Sequence, residues 1–252
     1  SRIPHHFIDT VNPGEDYSVF EYRREVLELL KREAGVRKTF VIVGGSGLYV
    51  KALLHGISEK PGANPEIRKI LFQEAQEKGF EILRDRLRSI DPDYAKIARD
   101  ERRVLRGLEV YEMSGKTMTE WDRKTHGFLN PASGTFAGRV MLYGLRWKKE
   151  TLHQRITERA FRMVDQGLLE EVRRLNQNQW SRTARQAIGY AEVLRYYRGE
   201  ITEEEIAPLI IKNTTRLGKR QMTWFRRETG IEWYDLERPL DLKLVEEKIL
   251  NA

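Results

Sequence analysis

The stretch Thr39 to Leu54, TFVIVGGSGLYVKALL, runs from an apolar β-branched and aromatic segment through a glycine-rich turn straight into a helix-forming segment. Strand, turn and helix in direct succession, with further strands separated by helices along the chain, suggest an α/β core. Gly44, Gly45 and Gly47 permit a tight turn at the junction. The chemistry of a nucleotide loop is missing. A phosphate loop needs G-x-x-x-x-G-K-[ST] and a dinucleotide loop needs G-x-G-x-x-G, and the stretch matches neither. On local grounds these glycines simply let a strand turn into a helix.

Changes of pattern organise the rest of the chain. A helix is expected around Val19 to Arg32, ahead of the strand Thr39 to Val43. After Leu54 the strands stop. Asn64-Pro65 supplies an N-cap and a first-turn proline for a helix ending near Gly79, and Asp91-Pro92 starts another. From Asp100 to Met113 the apolar Val104, Leu108 and Tyr111 recur at helical spacing, with Gly115 placed as the stop. Asn130 to Gly138 is a Pro/Gly/Ser-containing connector, after which Arg139 to Trp147 reads as a returning strand. Helices follow at Lys149 to Gln166, Leu168 to Asn176, Ala187 to Tyr197 and Thr202 to Arg227, then a short strand, Glu232 to Leu236. The expected domains are an α/β core with C-terminal helices, residues 1–52 and 138–252, interrupted by a helical insertion, residues 53–137.

The balance of 45 Lys and Arg against 38 Asp and Glu leaves a net charge of +7, which favours a polyanionic partner such as nucleic acid. The charge is unevenly spread. Lys212 to Arg227, KNTTRLGKRQMTWFRR, holds six basic side chains and no acid, so it has no internal i,i+4 partners. Thr214, Leu217, Gln221 and Trp224 share one side of this helix, with Leu217 and Trp224 read as core, while Lys212, Arg216, Lys219, Arg220 and Arg227 share another. A second stripe, Arg99, Arg102, Arg103 and Arg106, has partial pairing available from Glu101 and Glu109. Two such stripes fit a clamp on an extended polyanion, or two separate solvated faces.

Other chemistries find little support. With no cysteine, disulfides and thiolate metal sites are excluded, and neither a secretory signal nor an apolar run of membrane length occurs. His5-His6 are neighbours that an extended chain points to opposite sides, with no third ligand nearby in sequence. Ser114 to Thr117, SGKT, imitates the tail of a phosphate loop, but Val110 stands where that loop needs glycine. No Ser/His/Asp arrangement or carboxylate pair points to a nucleophilic hydrolase.

Six segments in order resemble the tRNA dimethylallyltransferase family: IPHHFID (Ile3 to Asp9), VGGSGLYVKALLHG (Val43 to Gly56), RRVLRGLEVYEMSGKTMTE (Arg102 to Glu120), RITERAFRMVDQGLLEEV (Arg155 to Val172), QAIGYAE (Gln186 to Glu192) and KRQMTWFR (Lys219 to Arg226). The resemblance implies a P-loop NTPase-like parallel-sheet core, incomplete at its N-terminus, with an inserted helical domain. It also implies a reaction in which N6 of the adenosine 3′-adjacent to the anticodon attacks C1 of dimethylallyl diphosphate, releasing diphosphate. The implied partners are the tRNA anticodon stem-loop and dimethylallyl diphosphate, with Mg2+ as cofactor, in a cytoplasmic monomer with no membrane association.

Family roles carry over residue by residue. Arg159, in RITERAF, matches an arginine beside the diphosphate. Gly44, Gly45 and Ser46 match a GGTGLY motif, with serine in place of threonine, and Arg68 matches a tRNA-contacting arginine. Arg102, Arg103 and Arg106, then Gln186, Gly189 and Tyr190, then Lys219, Arg220, Gln221, Thr223 and Arg226 fall in segments implied to bind tRNA. Ala191 stands where a basic residue is common, and IARDERRV lacks the usual His-Pro. The family's GPTxSGK[ST] and DSxQxY motifs, with its phosphate loop, metal-binding hydroxyl and general-base Asp, do not occur and would precede Ser1. The expectation is that Ser1 to Ala252 alone is inactive, or is part of a longer active polypeptide. Two rivals remain, a non-catalytic tRNA-binding remnant and an adenylate isopentenyltransferase acting on a free nucleotide.

Overall fold

The computed structural model describes residues 3–33, 39–123, 125–129, 139–175, 180–238 and 241–250. Helix α1 (Val19–Arg32) precedes α2 (Gly47–Leu54), and a strand-free run follows: α3 (Pro65–Lys78), α4 (Glu81–Ile90), α5 (Pro92–Ala95), α6 (Glu101–Ser114) and α7 (Met118–Arg123). The chain continues through β1 (Leu142–Trp147), α8 (Lys149–Asp165), α9 (Leu168–Arg174), α10 (Arg182–Arg185), α11 (Tyr190–Tyr197), a 3₁₀ turn (Glu203–Glu205), α12 (Ile206–Phe225), β2 (Ile231–Leu236) and α13 (Asp241–Leu250).

This is an α/β chain. Strands β1 and β2 pair in parallel, in register from Leu142 opposite Ile231 to Trp147 opposite Leu236. Parallel neighbours need a long crossover, and α8 to α12 supply it. Arg146 stands opposite Asp235 and donates to both its oxygens, at 2.5 and 2.7 Å.

The strand expected at Thr39 to Val43 does not form. No described residue pairs with it, and Val41, Ile42 and Val43 are 66%, 47% and 90% exposed. β-propensity reports how well a side chain suits a pleated, half-buried surface, but a strand exists only when a neighbour takes its hydrogen bonds. The connector Asn130 to Gly138, and with it the boundary expected at Ala137, lies outside the described residues.

Local signals set several helix ends. Asn64 accepts from the Glu66 and Ile67 amides at 3.0 and 3.2 Å, with Pro65 in the first turn of α3. Asp100 accepts from the Arg103 amide at the start of α6, and Gly115, at φ 64°, stops it. The C-terminal helix expected from Ala187 starts instead at Tyr190, because Gly189, at φ 100°, breaks helical geometry.

The chain divides into two compact units, one of Ser1–Tyr22, Val41–Gly47 and Arg139–Ala252, the other of Arg23–Phe40 and Leu48–Gly138. The first is centred on Ala160, Leu168, Val172, Trp180, Val193, Leu194, Ile206 and Ile210. The second buries Leu71, Leu83, Leu87, Ala98, Val104, Leu105 and Leu108. Each fully buried large aliphatic side chain contributes about 1.5–3 kcal/mol, so each unit has a core of its own.

Candidate functional site

In the first unit the glycine loop lies against α12. A methyl group on Gly45 would stand 2.3 Å from Gln221 Nε2, and one on Gly47 would stand 2.3 Å from Trp224 Cδ2 and 2.5 Å from Cγ. Neither these glycines nor Gly44 has a positive φ. The reading of Gly47 as a turn residue is therefore corrected: it is small because the Trp224 ring of α12 comes so close, whereas only the end of a flexible side chain faces Gly45. Ser46, between them, is exposed. The Gly45 to Gly47 turn and KRQMTWFR, far apart in sequence, thus lie against one another.

Lys219, Arg220, Thr223 and Arg226 are exposed on α12, and the Thr223 hydroxyl donates back to the Lys219 carbonyl at 2.9 Å. Among the described residues, Lys212, Arg216, Lys219, Arg220, Arg226 and Arg227 form no ion pair. Leu217, read from sequence as core, is 37% exposed, whereas Trp224 is half-buried, with the Phe225 ring edge-on at 4.8 Å. Helix α8 packs along α12, burying Ile156 and Ala160 and leaving Arg159 exposed, with no hydrogen bond or ion pair among the described residues.

The QAIGYAE segment is held by a carboxylate that sequence reasoning missed. Glu192, 2% exposed, accepts from the Gly189 amide at 2.7 Å and from Asn213 Nδ2 of α12 at 2.6 Å. Gln186 stays exposed, while the Tyr190 hydroxyl donates to Glu171. That hydrogen bond to an acceptor carboxylate, with burial adding to it, pushes the Tyr190 pKa up to about 12. The Tyr190 ring lies 5.1 Å from that of Trp180.

In the second unit Glu109, expected from sequence only as a partial partner for the stripe on its own helix, is fully buried and gathers cations. It accepts from Arg68 Nε at 2.9 Å and Nη2 at 3.1 Å, from Arg106 Nη1 at 2.6 Å and from the Asn64 amide at 2.7 Å. Arg106 also donates to the carbonyls of Gly62 and Pro61. Burial pushes the Glu109 carboxyl up, but hydrogen bonds from Arg106, Arg68 and the Asn64 amide overcome this and hold it below its usual value. Arg103 bonds the Ile97 carbonyl and pairs with Asp100, and Arg102 is exposed without an ion pair among the described residues. The stripe on α6 is thus partly neutralised, unlike that on α12.

The role of Glu192 and the burial of Glu109 both left traces in the sequence. Glu109 directly follows Leu108 on the apolar side of α6, where an acid is out of place unless paired. Glu192 stands three residues after Gly189, the spacing of a capping carboxylate. Among the described residues no group of three or more His, Asp or Glu side chains is placed to hold a metal ion. No described helix is long and apolar enough to cross a membrane.

Residues 1–228 match the family model described as IPP transferase. The chain is 38% identical over 243 residues to the tRNA dimethylallyltransferase of Halothermothrix orenii, covering 93% of this chain and 71% of that one. It is 39% identical over 254 residues to the tRNA dimethylallyltransferase of Carboxydothermus hydrogenoformans, covering 99% and 79%. Among solved structures it resembles the tRNA isopentenylpyrophosphate transferase of Bacillus halodurans, with TM-score 0.66, 29% identity and coverage of 99% and 78%. The corresponding Staphylococcus epidermidis structure gives TM-score 0.61 and 25% identity, with coverage of 99% and 82%.

Proposed function

This chain belongs to the IPP transferase family, and from that membership we propose that it takes part in prenylating tRNA, transferring a dimethylallyl group from dimethylallyl diphosphate to N6 of the adenosine 3′-adjacent to the anticodon. The N6–C1 bond forms as the bond from C1 to the diphosphate oxygen breaks, and the proton lost by N6 goes to a general base. Displacement at an allylic carbon asks for charge stabilisation at the leaving group, an amine held in line, and exclusion of water. The adenine must also leave its stack to be reached.

The observation that carries the reading is the unneutralised cationic face of α12 beside the Gly45 to Gly47 loop. Lys219, Arg220 and Arg226 meet RNA phosphates there, and Ser46, Gln221 and Thr223 provide neutral polar contacts to the substrate. Gln186, Gly189 and Tyr190 shape the approach of the base. Arg159 faces the departing diphosphate. Arg68, Arg102, Arg103 and Arg106 of the other unit contact the anticodon stem, with Arg68 and Arg106 oriented by Glu109. The P-loop-like core and the role of residues 53–137 as an RNA-contacting insertion belong to the same reading.

The test supplies the native polypeptide with dimethylallyl diphosphate and an anticodon stem-loop carrying the target adenosine. Prenylated adenosine by mass spectrometry is the expected product, reduced about 100-fold in rate by Arg159→Ala. Tighter binding of AMP than of the stem-loop, with the prenyl group delivered to AMP, would replace the RNA reading with a free-nucleotide one.

A further inference from the structure

Gly47 meets a rigid ring on α12. Its neighbour Gly45 is approached by the end of the flexible Gln221 side chain, which can swing aside, and Gly44 has nothing within 4 Å of where a Cβ would stand. At Gly47 the obstacle is an indole: a Cβ would stand 2.3, 2.5 and 2.7 Å from Trp224 Cδ2, Cγ and Cε2. The ring itself is braced edge-on by Phe225, with centroids 4.8 Å apart and planes at 78°. Gln221 and Trp224 are three residues apart on one face of α12, so they bracket the exposed Ser46 from Gly45 on one side and Gly47 on the other.

We propose that Trp224 is a positioning residue: by seating its indole on Gly47 it fixes Ser46 relative to the basic helix α12, so that a substrate held at Ser46 and a polyanion held at Lys219 and Arg220 are registered to one another. This rests on the reading of Ser46 as a substrate contact. The indole touches no reacting atom. It acts through the backbone of the loop, and the glycine opposite it is the space that lets the contact form.

Two double-mutant cycles on the native polypeptide test this. The first reads thermal unfolding and needs no activity: Gly47→Ala is expected to lower the midpoint in the wild-type background and to have much less effect beside Trp224→Leu, which makes room for the methyl group. Additive shifts overturn the contact and the proposal with it.

The second reads single-turnover prenyl transfer and stem-loop affinity. Trp224→Leu is expected to slow transfer at least tenfold while the Kd for the stem-loop changes less than twofold, and Ser46→Ala is expected to add little further loss in that background. A merely structural role predicts instead parallel losses of binding and turnover, with full additivity to Ser46→Ala, and either result overturns the positioning role. A wild-type protein that transfers no prenyl group overturns the functional reading, and the assignment of Ser46 as the positioned group falls with it. A wild-type protein that transfers the group while Trp224→Leu keeps full turnover overturns only the role of Trp224.

Discussion

Arg68 donates two hydrogen bonds to Glu109, from Nε at 2.9 Å and from Nη2 at 3.1 Å, and so anchors a half-exposed cation on a wholly buried anion. Arg106 and the Asn64 amide share that carboxylate, which ties α3, α6 and the Pro61 to Asn64 segment to one point. Removing it leaves two guanidinium groups and a capped helix start without their acceptor.

Glu109→Ala is expected to destabilise the helical unit by about 2–3 kcal/mol. That is less than the ~3–5 kcal/mol typical of breaking a fully buried pair, because the Arg68 side chain is 43% exposed and rehydrates. Denaturant unfolding followed by circular dichroism measures it.

The same carboxylate makes stability fall in acid. Its pKa is depressed in the folded state, so its contribution is fully present above the unfolded value of about 4.5 and is lost as pH falls through the folded value. The stability difference between wild type and Glu109→Gln is therefore expected to be constant near neutrality and to shrink below about pH 4.5. Urea midpoints recorded from pH 7 to pH 3 test this, and a difference that grew in acid would contradict it.

Gly189 is held at φ 100°, ψ −58°, a conformation that L side chains rarely adopt, with its amide on the buried Glu192. Gly189→Ala is expected to cost about 1–3 kcal/mol from backbone strain. Glu192→Ala is expected to cost about 1–3 kcal/mol by stranding the Gly189 and Asn213 donors. Asn213→Ala removes only one of those donors and should be milder in the same unfolding assay.

The side chains of Lys219 and Arg220 carry no intramolecular partner among the described residues, whereas Arg106 is bonded to Glu109 and to two carbonyls. Replacing Lys219 or Arg220 by Ala is expected to reduce the slope of log K against log salt for stem-loop binding by roughly 0.7–0.9 each. Arg106→Ala should act mostly through stability and leave that slope nearly unchanged. Filter binding or fluorescence titration across a salt series separates the two classes.

The candidate site was legible where its signals were local or compositional. The basic run from Lys212 to Arg227, the glycine loop and the order of the six motifs could be read directly, as could the caps at Asn64, Asp100 and Gly115. Glu192 escaped because its partner Asn213 is 21 residues away, and Glu109, read as a partial partner for the stripe on its own helix, gave no sign of Arg68, 41 residues away. Trp224 escaped for a similar reason. Its helical spacing said core, but nothing in the spacing said that it would rest on Gly47.

The sequence by itself determined many of the helical segments, though not, for instance, α4, α7 or α10, where several begin and end, and where positive charge collects, since capping, periodicity and charge act over a few residues. Tertiary structure decided what those features are for. Thr39 to Val43 has every preference of a strand and is not one, because a strand depends on a neighbour and no described residue serves as one. Arg106 and Lys219 are both exposed helix cations by pattern, yet Glu109 neutralises the first and leaves the second for a partner. Gly47 looks like a turn residue and is instead the space beneath an indole, because its requirement is set by close approach of a distant helix rather than by its own φ.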